Sequence, residues 1–184
     1  MKSLFASIVA LAAILAASSA SAQTAPEFIC KPSKTVAASF WGQWLSFPGP
    51  PAIVQYPNRL LNMGAAFDTI DFTAPCTGTY SFTVSFVRDA DFHTRCTAQG
   101  TADDVYIQIW LHPADGGSDR LISSSKGAWA GQTPPQTGRA TGADTIDALL
   151  SQNDMVYTKV LSDQAQPICL GVANFEGHKI GDIN

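Results

Sequence analysis

Between Thr79 and Val87 apolar and hydroxyl-bearing side chains alternate. Tyr80, Phe82, Val84 and Phe86 interleave with Thr79, Ser81, Thr83 and Ser85. Successive side chains of a strand point to opposite faces, so this period predicts one aromatic and aliphatic face and one hydroxyl face. Val105 to His112 repeats the pattern, with Val105, Ile107, Ile109 and Leu111 on one side and Tyr106, Gln108, Trp110 and His112 on the other. The run Pro113-Ala-Asp-Gly-Gly117 supplies turn chemistry at its end. Leu121-Ile122 and Trp129 suggest a further short strand or two, and Gly131 to Gly142 reads as loop. Thr145–Leu150 and Met155–Leu161 form a pair of apolar segments, followed by a second pair, Ile168–Val172 and Phe175–Ile183. Nearer the N-terminus, Val36–Leu45 carries Phe40, Trp41 and Trp44. The prolines that follow, Pro48, Pro50, Pro51 and Pro57, exclude a helix or a central strand and predict a loop over the surface. Only Thr145–Leu150 has a pattern that would also suit a helical turn. Many short strands separated by turn signals predict an all-β chain folded as a sandwich or jelly roll.

The first 22 residues differ from the rest. Lys2 precedes an apolar stretch from Leu4 to Ala17 broken only by Ser7, and Ala20-Ser-Ala22 places small residues before Gln23. This is the layout of an export signal, and the stretch is short for a membrane span. Residues 23–35 read as a polar lead-in and residues 36–184 as one domain. The chain of 184 residues is 46% hydrophobic and 14% charged, enough apolar content for a core and too much for a disordered chain. Its net charge of -4 disfavours a nucleic-acid partner, which calls for clustered Lys and Arg. Export implies an oxidising space, periplasmic or extracellular, where Cys30, Cys76, Cys96 and Cys169 are expected to form two disulfides. Four cysteines allow three pairings, and their spacing lacks the close pairs of a zinc site.

Three local patterns have physical readings of their own. In Phe72-Thr-Ala-Pro75-Cys-Thr-Gly78-Thr-Tyr80-Ser-Phe82, Pro75 belongs before a strand because it cannot donate a ladder hydrogen bond. Gly78 would permit a tight or left-handed turn at the strand entrance. In Leu150-Ser-Gln-Asn153-Asp154-Met-Val156, Asn153 tolerates the left-handed region and Asp154 can bond local amides to close the turn. In Phe175-Glu-Gly177-His-Lys-Ile180, a glycine within a strand implies a bulge or a close backbone approach. In this order, the three patterns resemble the globular-head domain of the complement first component, a tumour-necrosis-factor-like jelly roll. Asn153 stands where that family has glycine. Phe40 and the pair Phe67-Asp68 match further family positions, so the resemblance spans residues 36–183.

The resemblance implies a compact homotrimer with ligand sites on exposed loops, here without a collagen stalk. Some members of the family hold calcium, for which Asp89, Asp91, Asp103 and Asp104 are the candidate ligands in this chain, although none falls in a matched motif. Calcium takes six to eight oxygen ligands, often from loop carboxylates; aspartate is also simply frequent in turns. The family topology further implies Cys96 paired with Cys169, and Cys30 with Cys76.

Catalytic signatures are missing. His93, His112 and His178 are far apart in sequence, and no nucleophile elbow, zinc-binding helix or phosphate loop occurs. Only two glutamates are present, Glu27 in the lead-in and Glu176, so a hydrolase or lyase would have to rely on aspartates. The expectation is therefore a secreted, non-catalytic module that binds an extracellular protein or glycan. The alternative is a lectin-like sandwich using exposed aromatics. Trp110 and His112, on the face opposite the aliphatic one, are the ligand-binding candidates, because an indole face can stack on a sugar ring.

Overall fold

The computed structural model describes residues 35–88, 104–129, 140–162 and 168–182. The described residues form eleven strands and no helix: β1 (Ala37–Phe47), β2 (Ala52–Ile53), β3 (Asn58–Met63), β4 (Asp71–Thr73), β5 (Gly78–Arg88), β6 (Val105–His112), β7 (Arg120–Lys126), β8 (Ala128–Trp129), β9 (Ala140–Leu150), β10 (Met155–Ser162) and β11 (Ile168–Gly181). One sheet has the order β3-β1-β11-β5-β9-β8. The second runs β2-β10-β6-β7, with β4 also pairing to β10. All pairings are antiparallel. Neighbours such as β1 and β11, far apart in sequence, make this the crossed topology of a jelly-roll sandwich.

The alternating segments behave as their period requires. Tyr80, Phe82, Val84 and Phe86 of β5 and Val105, Ile107, Ile109 and Leu111 of β6 are all buried between the sheets. Aromatic rings link the two layers: Phe175 of β11 lies 5.8 Å from Tyr56, 5.3 Å from Phe67 and 5.9 Å from Phe82, and Phe72 meets Phe82 edge-on at 5.1 Å. The one polar pair at the centre is satisfied internally, with the Tyr56 hydroxyl 2.8 Å from Thr158 Oγ1. Burial pushes the Tyr56 phenol far above its ordinary pKa, so it stays neutral.

Four segments differ from the sequence reading. β9 starts at Ala140, inside the stretch read as loop, and Thr145–Leu150 is strand because β9 pairs with β5 from Ala140 to Leu150. The two final segments are one strand, since Ala173 and Asn174 pair with Gly42 and Trp41 of β1 on one side and with Phe86 and Ser85 of β5 on the other. β3 has little alternation to betray it: it is a sheet edge, and Leu60, Leu61 and Met63 are exposed. The proline-broken stretch is mostly irregular, and its two strand residues, Ala52 and Ile53, sit on a sheet edge, where proline is tolerated.

The motif residues find their reasons in packing. Asn153 has φ 68°, the left-handed conformation expected of it. Gly177 answers to close approach, because a Cβ there would stand 2.9 Å from the Phe82 ring of the neighbouring strand. Gly78 does not take a left-handed turn; a Cβ there would meet the Gly181 carbonyl oxygen at 2.6 Å and the Lys179 side chain at 2.5 Å. The requirement at Gly78 is therefore space where β11 crosses the start of β5. Pro75 precedes β5 as expected, and the Tyr80 hydroxyl donates to the Cys76 carbonyl at 2.7 Å. Neither described cysteine is a free thiol. Cys76 lies by the start of β5 and Cys169 at the start of β11, which runs antiparallel, so the two occupy opposite ends of the sandwich. Cys30, Cys96, the leader and residues 23–34 of the lead-in lie outside the described residues.

Candidate functional site

The outer face of the five-stranded sheet carries the densest group of polar and aromatic side chains. Because Ile109 and Leu111 face the core, Gln108, Trp110 and His112 of β6 must face outward. The register sets Tyr157 of β10 opposite Trp110, Lys159 opposite Gln108, and Asp71 of β4 beside Tyr157. Trp110 Nε1 donates to Gln108 Oε1 at 3.0 Å, which ties the indole to its neighbour on the same face of the strand. The Lys159 ammonium lies 4.2 Å from the Trp110 ring centre and 5.2 Å from that of Tyr157, a cation–π arrangement over both rings. Trp110 is thus half-buried and capped by a lysine, and the bare indole platform expected from the sequence is not what this face offers.

Beside it, three residues from three elements form a hydrogen-bonded cluster. The Tyr157 hydroxyl donates to Asp119 Oδ2 at 2.5 Å, and His112 Nδ1 lies 2.7 Å from Asp119 Oδ1. The Tyr157 hydroxyl, followed by the His112 hydrogen bond, holds the Asp119 carboxyl below the usual carboxylate range. Desolvation, followed by the hydrogen bond to Asp119, pushes the Tyr157 phenol well up. Asp71 next to Tyr157 is raised by burial and by Asp68. Asp119 is the imidazole's only hydrogen-bonding partner among the described residues, so no nucleophile–base pair is assembled at His112. The sequence reading reached Trp110 and His112 but missed Asp119, Tyr157 and Lys159. The one signal available was the alternation of Met155–Leu161, which puts Tyr157 and Lys159 on a common face.

The signs of these shifts set a pH dependence. A depressed carboxylate contributes stability above its unfolded pKa of about 4, lost as pH falls through the lower folded value. A raised phenol contributes stability below its unfolded pKa of about 10, lost as pH rises towards the folded value. Melting midpoints measured across this range are expected to fall at both extremes. Tyr157→Phe should flatten the acid limb, since it removes the main hydrogen bond to Asp119, and weaken the alkaline limb, leaving the raised phenols of Tyr56 and Tyr80. Equal slopes in variant and parent would count against the cluster.

Of the four aspartates named as calcium candidates, only Asp104 lies among the described residues. Asp104 is engaged by the Lys126 ammonium at 2.5 Å and by the Tyr106 hydroxyl at 3.4 Å. Asp89, Asp91, Asp103 and His93 lie outside the described residues, and His178 stands on the opposite sheet. Among the described residues no three His, Cys, Asp or Glu side chains gather to hold a metal. No described helix is long and apolar enough to cross a membrane.

The outer face of the six-stranded sheet has a different character. Its centre mixes small and charged side chains: Ser81, Thr83 and Ser85 of β5, Ala143 and Thr145 of β9 and Ser39 of β1 lie beside the exposed Glu176 and His178 of β11 and Asp147 of β9. Thr83 and Thr145 share a hydroxyl contact at 3.0 Å, and Asn174 donates to Ser85 at 3.1 Å. Around this centre stand exposed apolar side chains: Leu61 and Met63 at the β3 edge, Leu149 on β9, and Ile180 near the end of β11.

No protein-family model matches the chain, and no curated protein matches it by sequence. Solved structures do match it in shape. The globular domain of the zebrafish complement 1qA protein aligns with a TM-score of 0.58 at 14% identity, over 80% of this chain and 99% of that one. The Eiger tumour necrosis factor of S. frugiperda aligns with a TM-score of 0.61 at 13% identity, over 82% and 96%. Murine APRIL gives 0.51 at 8% identity, over 80% and 100%. The chain has the jelly-roll fold that these complement and tumour-necrosis-factor structures share.

Proposed function

We propose that the protein is a secreted, non-catalytic recognition module that works as a homotrimer. In this reading the six-stranded sheet faces its copies, and the loops and five-stranded sheet meet an extracellular protein or glycan. The observation that carries it is the unequal distribution of exposed apolar side chains. Among the described residues, the exposed Leu60, Leu61, Met63, Leu149 and Ile180 belong to the six-stranded sheet, and only Ile53 and Leu121 to the other. An apolar rim suits packing against a second copy, because exposed apolar patches mark association surfaces, and the hydroxyls, Glu176, His178 and Asp147 inside the rim offer polar groups for that copy to pair. A likeness in fold to the complement globular domain adds support.

The test is light scattering on the size-separated mature chain. Three copies per particle are expected. Thr83→Arg, which places a long side chain beside Glu176 at the centre of this face, is expected to yield monomers with an unchanged β-sheet spectrum. A monomeric parent protein would overturn the assembly. A Thr83→Arg variant that stays trimeric would move the interface elsewhere.

A further inference from the structure

Beside the β3 edge of the sandwich lies a cavity of about 350 Å³, lined by Phe40, Pro57, Arg59, Asn62, Phe67, Asp68 and Thr69. That volume lies within the range of roughly 300–1,000 Å³ typical of small-molecule sites. Its apolar lining is the exposed Pro57 and the edges of two core aromatics, Phe40 and Phe67, whose ring centres are 4.1 Å apart. Its polar lining is Asn62, Thr69 and two charged residues, Arg59 and Asp68, both exposed. They are not paired with each other, and the Arg59 guanidinium has no partner among the described residues.

The loop closing the cavity is braced for its shape. The Asn62 side chain donates to the Phe67 carbonyl at 2.7 Å and accepts from the Phe67 amide at 3.2 Å, so its amide group is already committed. Asp68 Oδ1 accepts from the amides of Ile70 and Asp71 at 3.0 and 3.1 Å. Those bonds orient the carboxylate while its second oxygen has none. Thr69 has φ 97°, a conformation that is costly for a β-branched residue and that a loop keeps only when its surroundings impose it. Gly64 and Ala65, at φ 83° and 51°, complete a tight chain reversal.

Two opposite charges lining one cavity without neutralising each other are complementary to a ligand that carries both. We propose that this cavity binds a free α-amino acid with an apolar or aromatic side chain. Arg59 takes the carboxylate as a charge-assisted pair, Asp68 takes the ammonium, and the side chain packs against Phe67, Phe40 and Pro57. The site involves none of the residues of the Trp110 face, and it shares strand β3 with the apolar rim of the proposed interface.

The experiment uses the mature protein and three probes followed by backbone amide NMR: L-phenylalanine, 3-phenylpropionate, which lacks the ammonium, and 2-phenylethylamine, which lacks the carboxylate. Phenylalanine is expected to give saturable shifts at Arg59, Asn62, Asp68 and Thr69, and each analogue to bind at least about tenfold more weakly, the loss of one charge-assisted contact. Arg59→Gln and Asp68→Asn should each weaken phenylalanine binding by a similar factor. Asparagine retains an oxygen for the Ile70 and Asp71 amides, and unchanged melting midpoints will show that the loop is intact. Equal binding of all three probes would overturn the zwitterion assignment in favour of a plain apolar slot. An absence of saturable shifts up to millimolar probe would overturn the site itself, leaving the oligomer measurement unaffected.

Discussion

Phe175→Ala is expected to lower folding stability by about 3–5 kcal/mol, the usual cost of emptying a buried phenylalanine site. The side chain is fully buried, and its ring meets those of Tyr56, Phe67 and Phe82, which come from separate parts of both layers. Rings held by several strands cannot all close over the gap, so the cavity term should be near the upper end. For a chain of this size the melting midpoint should fall by roughly 10 °C. Thermal unfolding followed by circular dichroism would measure it, with Ile53→Ala as the comparison. Ile53 is 47% exposed, and truncating it should change stability by no more than about 0.5 kcal/mol. A Phe175 variant that melts with the parent would mean that the aromatic cluster does not hold the layers together.

Asp154→Ala should be nearly as damaging, at about 2–4 kcal/mol, because it removes an ionised acceptor from two backbone donors at once. Its Oδ2 accepts from the Ser151 amide and its Oδ1 from the Ala114 amide, each at 2.8 Å. The first bond closes the β9–β10 turn; the second ties that turn to the β6–β7 turn, forty residues away in sequence. Asp154 is itself buried while Ser151 and Ala114 are exposed, so the loss is that of the two hydrogen bonds themselves. Asp154→Asn keeps one oxygen acceptor but turns an NH2 group towards the other amide, and its loss should be intermediate. Urea unfolding of the three proteins would rank them. An alanine variant as stable as the asparagine one would show that the long-range bond contributes nothing.

Asp154 also illustrates how much of the fold is legible in sequence. Its turn-closing bond follows from a local rule about aspartate and nearby amides. Its bond to Ala114 does not, because nothing in residues 150–156 announces which distant loop lies alongside. Asn153 is a similar case on the local side, since its left-handed φ is a property of the turn and of the side chain that tolerates it. At Gly78 the same local reasoning failed: the glycine is needed for room beside Gly181 and Lys179, a neighbourhood created by the crossing of β11.

The candidate sites divide in the same way. Alternation was enough to put Trp110 and His112 on the outward face of β6, since one-sided burial writes its period directly into the sequence. It could not reveal that Lys159 covers the indole or that Asp119 and Tyr157 enclose the imidazole, because those partners arrive through the register of β10 against β6 and through the turn before β7.

The sequence by itself therefore determined an all-β sandwich, its two most regular strands, the turn at Asn153 and the resemblance to the complement head. These depend on burial, period and backbone preference within a few residues. Only the tertiary structure decided that β3 is an exposed edge, that the last two apolar segments are one strand, which face is apolar-rimmed, and that Arg59 and Asp68 share a cavity. Each of those depends on strand order and register between distant segments, and hence on which surfaces are left over once the core has closed.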